Sequence, residues 1–328
     1  MGTLLIYGAT GYTGRMAAER AKVLGLNFEI AGRDAAPLKA LSIQLGVPYR
    51  VFTLNERPER YLDSISVLLN FAGPFAQTAE ALMNACINAG VDYLDITAEI
   101  NVYRLAERFG AEAAKSDVML LPGVGWDVAT TDSLAVHVAA RVAKPHALSI
   151  ALQVPGSMSR GSAKSVSEII GAGPLSRVDG ELVSTPETQP RYFDFGDGPV
   201  LCAPLPFGDL VTAWHSTGIA NIAMYVHISG EAFPEGDLAQ LADGPDVAHR
   251  DAHKARAVAE VVGAYGEMAR SRIETVNGYS FTPVAAVEAA RRVMEGERQA
   301  GFETAARLFG GGFAETIAGT TITDEAVV

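Results

Sequence analysis

The segment Gly8-Ala9-Thr10-Gly11-Tyr12-Thr13-Gly14 spaces its glycines so that backbone amides can close around an anion. Counted back from Gly14 it reads Ala9-x-Gly11-x-x-Gly14, with Ala9 in place of the usual first glycine and Gly8 adding a flexible position. Gly11 lets the chain approach a pyrophosphate, Gly14 lets a helix pack closely on the preceding strand, and the helix N-terminus offers unpaired N–H groups. About twenty residues further on, Ala31-Gly32-Arg33-Asp34 stands where a second strand would reach an adenosine ribose. Arg33 can pair with a 2′-phosphate and lay its planar guanidinium on adenine. Asp34 can accept from a free 2′-hydroxyl or cap the next helix. The arginine favours NADP(H), with NADPH as the expected cofactor.

A second group of residues could handle protons. Asp95, Glu99, Asp127 and Asp132 fall at or just after the ends of the fifth and sixth expected strands, the edge at which such sheets bind ligands. Reducing an iminium needs desolvation and an anionic neighbour; reducing an activated alkene needs enolate stabilisation and a proton donor. Glu99 and Asp127 are the candidate catalytic carboxylates, although Asp127 and Asp132 could equally cap or decorate the following helix. Tyr12 can gate the nicotinamide or simply pack. A Tyr/Lys relay for carbonyl reduction is disfavoured, because none of the ten tyrosines has lysine four residues on: Tyr93 meets Thr97, Tyr103 meets Glu107, Tyr265 meets Ala269. His249 and His253 share a helical face, but no third ligand is evident, and no metal site is expected. His215, beside Trp214, is a candidate proton donor or a packing residue.

These residues need a scaffold, and the first 125 positions supply one. Short apolar runs at 3–7, 28–31, 49–53, 66–71, 93–96 and 118–121 alternate with amphipathic stretches at 13–24, 37–45, 76–89 and 102–114. That alternation predicts a Rossmann-type doubly wound parallel sheet. A helix is expected over 127–142. Beyond it, runs at 148–154, 182–185, 192–195 and 219–228 predict a second, mixed sheet, followed by a charged helix at 247–263 and a helix at 283–294 with Thr282 as cap and Pro283 at its first position. The predicted domains are 1–126, 127–275 and a helical segment 276–328 returning to the first. The mixed sheet could also pair two subunits as a homodimer.

Composition narrows the partners. With 26 Lys plus Arg against 38 Asp plus Glu, the net charge of −12 excludes a protein that lives on nucleic-acid phosphates. Two cysteines, Cys86 and Cys202, are too few for a disulfide scaffold or a thiolate zinc site and sit in apolar contexts typical of buried thiols. No apolar run approaches a membrane span of roughly 18 residues, and a soluble cytoplasmic protein is expected.

Further motifs carry a resemblance. Asn70-Phe71-Ala72-Gly73-Pro74-Phe75, the stretch from Ala85 through Gly90-Val91-Asp92-Tyr93-Leu94-Asp95 to Glu99, Pro122-Gly123-Val124-Gly125-Trp126-Asp127, Thr131-Asp132-Ser133, and near the end Asn277-Gly278-Tyr279-Ser280-Phe281-Thr282 and Gly301-Phe302-Glu303-Thr304 are similar to the saccharopine dehydrogenase-like NADP-binding family, including its trans-acting enoyl reductase branch. The resemblance implies an NADP-dependent oxidoreductase. It places Thr10 to Thr13 on the pyrophosphate, Arg33 on the 2′-phosphate, and the Phe71-Ala72-Gly73-Pro74 turn, through Ala72 to Pro74, at the nicotinamide ribose. Ala98 departs from the family's glycine before Glu99. The expected activity is hydride transfer to a C=C or C=N bond of a small metabolite or carrier-bound intermediate. A non-catalytic NADP-binding regulator and a saccharopine-type amino-acid reductase stay open as alternatives.

Overall fold

A computed structural model describes residues 2–155, 158–229 and 243–326. In chain order its first elements are β1 (Leu4–Tyr7), α1 (Tyr12–Val23), β2 (Phe28–Gly32), α2 (Ala35–Leu45), β3 (Tyr49–Val51), β4 (Val67–Asn70), α3 (Ala79–Ala89), β5 (Asp92–Asp95), α4 (Ile100–Lys115) and β6 (Met119–Leu121). There follow α5 (Thr131–Ala139), β7 (Pro145–Pro155), α6 (Arg160–Gly171), β8 (Leu175–Val178), β9 (Glu181–Ser184), β10 (Arg191–Asp194), β11 (Pro199–Pro204), α7 (Asp209–Thr217) and β12 (Asn221–Ser229). The chain closes with α8 (Val247–Ala252), β13 (Ala255–Gly263), β14 (Met268–Thr275), α9 (Gly278–Met294), β15 (Gly301–Phe302), α10 (Ala305–Phe309) and β16 (Thr321–Glu325).

The chain divides into two compact units. The first comprises residues up to Thr97, Val102–Gly125 and Thr282–Glu303. Its parallel sheet has the order β15-β6-β5-β4-β1-β2-β3, so the strand sequence reverses between β1 and β4, and that reversal opens a crevice at the strands' carboxyl ends. The expected α/β class and doubly wound parallel sheet both hold, with β15 added as a seventh strand beside β6. Leu4, Leu5 and Ile6 of β1 are fully buried, as are Leu68 and Leu69 of β4, and each such side chain contributes about 1.5–3 kcal/mol of burial free energy. Gly46 and Gly90 end α2 and α3 in the left-handed region, at φ 66° and 71°, where glycine carries no steric penalty.

The second unit comprises Ala98–Asn101, Trp126–Phe281 and Thr304 onward. Its mixed sheet runs β10-β11-β12-β7-β13-β14-β16, with β8 joined to β12 and β9 to β8. β7 is the central strand, parallel to β12 and antiparallel to β13. Both cysteines are buried and free. Among the described residues no helix is long and apolar enough to cross a membrane.

Several expectations need correction. The charged helix at 247–263 is only α8, after which 255–263 forms β13, because its backbone pairs with β7 on one side and β14 on the other. The helix at 127–142 splits into a π-helical turn, Trp126–Thr130, and α5. α9 begins at Gly278, which leaves Pro283 inside the helix rather than at its first position. The segment 276–328 does not return whole to the first unit: residues 282–303 do, adding β15 beside β6, whereas 304–328 belong to the second unit and end in a strand, β16, on β14.

Candidate functional site

At the end of β1, Gly8 turns the chain at φ 79°, and its amide is held by the Ala31 carbonyl at 2.9 Å. A Cβ on Gly8 would lie 2.8 Å from the Ala72 nitrogen, so the loops after β1 and β4 touch backbone to backbone at the reversal of strand order. Gly14 is equally constrained: its Cβ would sit 2.3 Å from the Gly8 carbonyl oxygen. Gly11 is the N-cap of α1 and supplies no side-chain cap, and the first turn carries no acidic residue. The first turn of α1, Tyr12 to Gly14, thus stands at a helix N-terminus with no acidic residue in it, the arrangement that receives an anion. Thr10 and Thr13 are half-buried on this loop. These glycines fit a pyrophosphate cradle that any Cβ would fill.

At the end of β2, Gly32 is buried, and Arg33 projects outward with its side chain 79% exposed. Its Nε lies 3.5 Å from Asp34 Oδ2. Asp34 stands at the N-cap of α2 but makes no side-chain cap hydrogen bond, so the capping alternative is not realised. The guanidinium is thus tethered loosely by one exposed carboxylate and keeps its donor edge open. Beneath it, burial pushes the Tyr7 phenol up, with the Arg33 charge opposing.

The loop Phe71-Ala72-Gly73-Pro74, with a cis Gly73–Pro74 bond, is held from below by side chains of the neighbouring strand ends and of Thr78. Asn70 accepts from the Ala72 amide at 2.9 Å, and Thr78 donates to the Ala72 carbonyl at 2.7 Å. Asn70 also donates to the Tyr93 hydroxyl (3.2 Å), which donates to Asp95 Oδ2 (2.8 Å). Asp95 Oδ1 in turn accepts from the amides of Thr97 (3.0 Å) and Gly123 (2.9 Å). Asn70, Tyr93 and Asp95 are all fully buried. Burial and the Asp95 charge push the Tyr93 phenol well above its ordinary range. Asp95, expected as a carboxylate near the cofactor, is therefore structural, since its oxygens organise three strand ends. The signal was present in the Asp-Tyr-Leu-Asp strand, where Tyr93 and Asp95, two apart, must point to the same side.

Gly123 completes this floor at φ 75°, and a Cβ there would fall 1.9 Å from the Tyr103 hydroxyl oxygen, which itself donates to the Thr97 carbonyl at 2.5 Å. Gly123→Ala is expected to cost about 1–3 kcal/mol through strain and overpacking, read as a lower urea midpoint. Adding Tyr103→Phe should restore part of it; no recovery would mean that the backbone angle alone is responsible.

The second unit holds the other candidate carboxylates. Glu99 is 2% exposed and accepts from the Ser165 hydroxyl of α6 at 2.6 Å, beside a bridge between Glu99 and Phe207. Asp127 is half-buried in the π-helical turn, and burial pushes its carboxyl up to about 6. Asp132 does not cap α5. Its Oδ2 instead accepts from Ser216 of α7 (2.9 Å) and the Ala306 amide of α10 (3.1 Å). His249 and His253 stack with ring centroids 4.2 Å apart, and His253 Nδ1 lies 2.8 Å from the His249 carbonyl of its own turn. Of the sequence candidates, the first unit brings together the glycine loop with Tyr12, residues 32–34 and residues 71–74, while Glu99 and Asp127 lie in the second. Sequence reasoning missed Asp209, the first residue of α7, which is fully buried.

Known proteins give the following likenesses. Residues 4–120 match the family described as saccharopine dehydrogenase NADP binding domain. A trans-acting enoyl reductase of Mycobacterium tuberculosis is 27% identical over 139 residues, 39% of this chain and 33% of that protein. A lipid droplet localized protein of Caenorhabditis elegans is 26% identical over 145 residues, 39% of this chain and 34% of that one. The match thus spans about a third of the length of these curated relatives. The solved apo, histidine-tagged saccharopine dehydrogenase (L-Glu forming) of Saccharomyces cerevisiae covers 100% of both chains at a TM-score of 0.69 and 12% identity, a likeness of fold. Over residues 4–120 the chain is thus similar to the saccharopine dehydrogenase NADP-binding domain, the family that the sequence motifs resemble.

Proposed function

We propose that the protein is an NADPH-dependent reductase that delivers hydride to a C=C or C=N bond of a small metabolite or carrier-bound intermediate. The observation that carries this reading is the open Arg33 edge beside a glycine loop whose backbone contacts leave no room for side chains. Bound NADPH supplies the hydride. The loop amides of residues 12–14 hold the pyrophosphate, Arg33 the 2′-phosphate, and the turn 71–74 the nicotinamide ribose. Asp127 holds the proton that an alkene reduction places on the carbon next to the one that receives hydride. Its raised carboxyl suits that task near neutral pH, and the enoyl reductase name of the relatives favours C=C over C=N. Glu99, fixed by Ser165, is the anionic neighbour, and Tyr12 gates the nicotinamide. The proposal includes pairing of two copies, for which edge strand β10 offers Tyr192, exposed opposite Leu201 of β11.

The test is calorimetric titration with both nicotinamide cofactors. A charge-assisted hydrogen bond contributes about 1.5–3 kcal/mol, reduced here by solvent around an exposed arginine. Arg33→Ala is therefore expected to weaken NADPH about tenfold and to leave NADH nearly unchanged. Equal losses for both would remove the 2′-phosphate role, and equal affinity of the unaltered protein for both would remove the NADPH assignment.

A further inference from the structure

Five buried oxygen atoms at the junction of α5 and α7 make no hydrogen bond among the described residues: Thr130 Oγ1, Asp132 Oδ1, both carboxylate oxygens of Asp209, and Thr212 Oγ1. Buried polar atoms are nearly always paired, so this concentration calls for an account. Asp209, Thr212 and Ser216 stand at i, i+3 and i+7 on α7, one polar stripe on a single helix face. The last of them donates to Asp132 of α5 at 2.9 Å, which orients the stripe toward α5. Asp132 and Asp209 are both fully buried, as are Thr130 and Thr212 within 1%.

The groups around Asp209 explain its state. Burial is the largest influence and favours the neutral acid; the neighbouring charges of Asp132 and Asp127 act the same way, against weaker opposition from the Thr131 hydroxyl and the residue's own amide. The Thr131 hydroxyl is directed to the carbonyls of Asp127 (2.8 Å) and Val128 (3.3 Å). Arg177 of β8, close to the start of α7, donates from Nε to the Leu210 carbonyl at 2.7 Å. His215 acts on Asp132, which also feels Ser216, Thr304 and the Ala306 amide. Asp132 is thus supplied with donors on one oxygen and left with an empty acceptor on the other. A neutral Asp209 has one O–H to give.

We propose that Asp209 is held as the neutral acid and shares its proton with Asp132 across the α5–α7 interface, forming a buried proton reserve behind Asp127. The shared proton turns two repelling carboxylates into an acid–carboxylate pair with one net charge. It gives Asp132 Oδ1 a donor, directly or through a buried water of the kind that orphaned Thr130 and Thr212 hydroxyls would hold. The half-buried Asp127 is the outer member of the group, and Thr131 bonds to its backbone. When Asp127 gives its proton to a reduced carbon, the reserve passes one outward and recovers it from solvent afterwards. Asp209 is in this scheme a positioning residue that acts through Asp127. The reserve as a supplier of protons rests on the reductase reading; the shared proton does not.

Infrared spectroscopy separates the two. At a pH well above that at which Asp127 titrates, the protein is expected to show the C=O stretch of one protonated carboxyl, retained in Asp127→Asn and lost in Asp209→Asn. Absence of that band from the unaltered protein overturns the proposal. So does a rise in melting temperature on replacing choline by sodium or potassium at fixed ionic strength, which would put a cation among these oxygens. Should Asp209→Asn not fold, Thr212→Val must shift the same band, and an unmoved band is equally fatal. For the supply role, Asp209→Asn is expected to lower kcat severalfold and to regain it with rising concentration of a small acid buffer such as imidazole, to which the unaltered enzyme is indifferent. A loss of kcat that buffer does not relieve overturns the reserve. A band that behaves as expected in a protein that reduces no enoyl or imine compound upholds the shared proton and removes the reductase reading instead.

Discussion

Gly14→Ala is expected to abolish measurable NADPH binding and to lower the stability of the first unit. The added methyl would stand 2.3 Å from the Gly8 carbonyl oxygen and 3.1 Å from the Ala9 Cα. No flexible side chain is present to yield, so α1 must move away from β1. Overpacking of this kind costs about 1–3 kcal/mol, and the same displacement carries the first-turn amides out of register with a pyrophosphate. We expect at least a hundredfold loss of affinity by calorimetry, equivalent to about 2.7 kcal/mol, together with a reduced melting temperature. Gly11→Ala is the informative companion. Its Cβ would come no closer than 3.3 Å to the Gly8 oxygen at an exposed N-cap, so the fold should survive while the pyrophosphate loses its close approach. If Gly14→Ala bound NADPH normally, the loop would not be the phosphate cradle.

Asp127→Asn carries the second large effect. A positioned general acid contributes about 10²–10⁴ in rate, and a loss of kcat in that range is expected with NADPH affinity unchanged. The direction with pH follows from burial, which pushes the carboxyl up to about 6. Below about 6 Asp127 is protonated and can donate, and as pH rises through about 6 the donor is lost, so kcat should fall. In the asparagine variant that fall should vanish, leaving a low, flat profile. The same sign governs stability: a carboxyl raised in the folded state is tolerated while protonated, and its burial becomes unfavourable as pH climbs through about 6. Asp127→Asn should therefore lose less stability than the unaltered protein between acid and neutral pH. An unchanged kcat profile in the variant would move the proton donor elsewhere.

The two halves of the chain differ in how much of this was legible from sequence. The edge proposed to hold the nucleotide is easily placed because its parts are contiguous: Gly8 to Gly14, Gly32 to Asp34 and Phe71 to Pro74 each lie where a strand ends, and strand ends are marked by apolar runs. The mixed sheet reads in part: the runs at 148–154, 182–185, 192–195 and 219–228 become β7, β9, β10 and β12, whereas β13 and β14 bury mostly small and polar residues. Along β14, Ala269, Ser271, Ile273 and Thr275 point inward while Arg270, Arg272 and Glu274 alternate with them, so period two is present but hydrophobic contrast is weak. Ala255–Gly263 is alanine-rich and suits a helix locally; pairing with two neighbouring strands overrides that preference. Asp209 gave no local signal at all. A lone aspartate at the start of a helix is ordinary, and its character comes from α5, some seventy residues earlier in the chain.

The buried knot of Asn70, Tyr93 and Asp95 bears on how the nucleotide edge could be altered. Backbone amides of residues 72, 97 and 123 are fastened to side chains that never reach the surface. The turns that display chemistry are therefore shaped from inside the sheet. Side chains on those turns can be exchanged to suit another ligand without redrawing the backbone, whereas a single conservative change at Asp95 would release two loops at once. The edge resembles a keyboard on one frame, with interchangeable keys and a shape written in the three residues that no ligand touches.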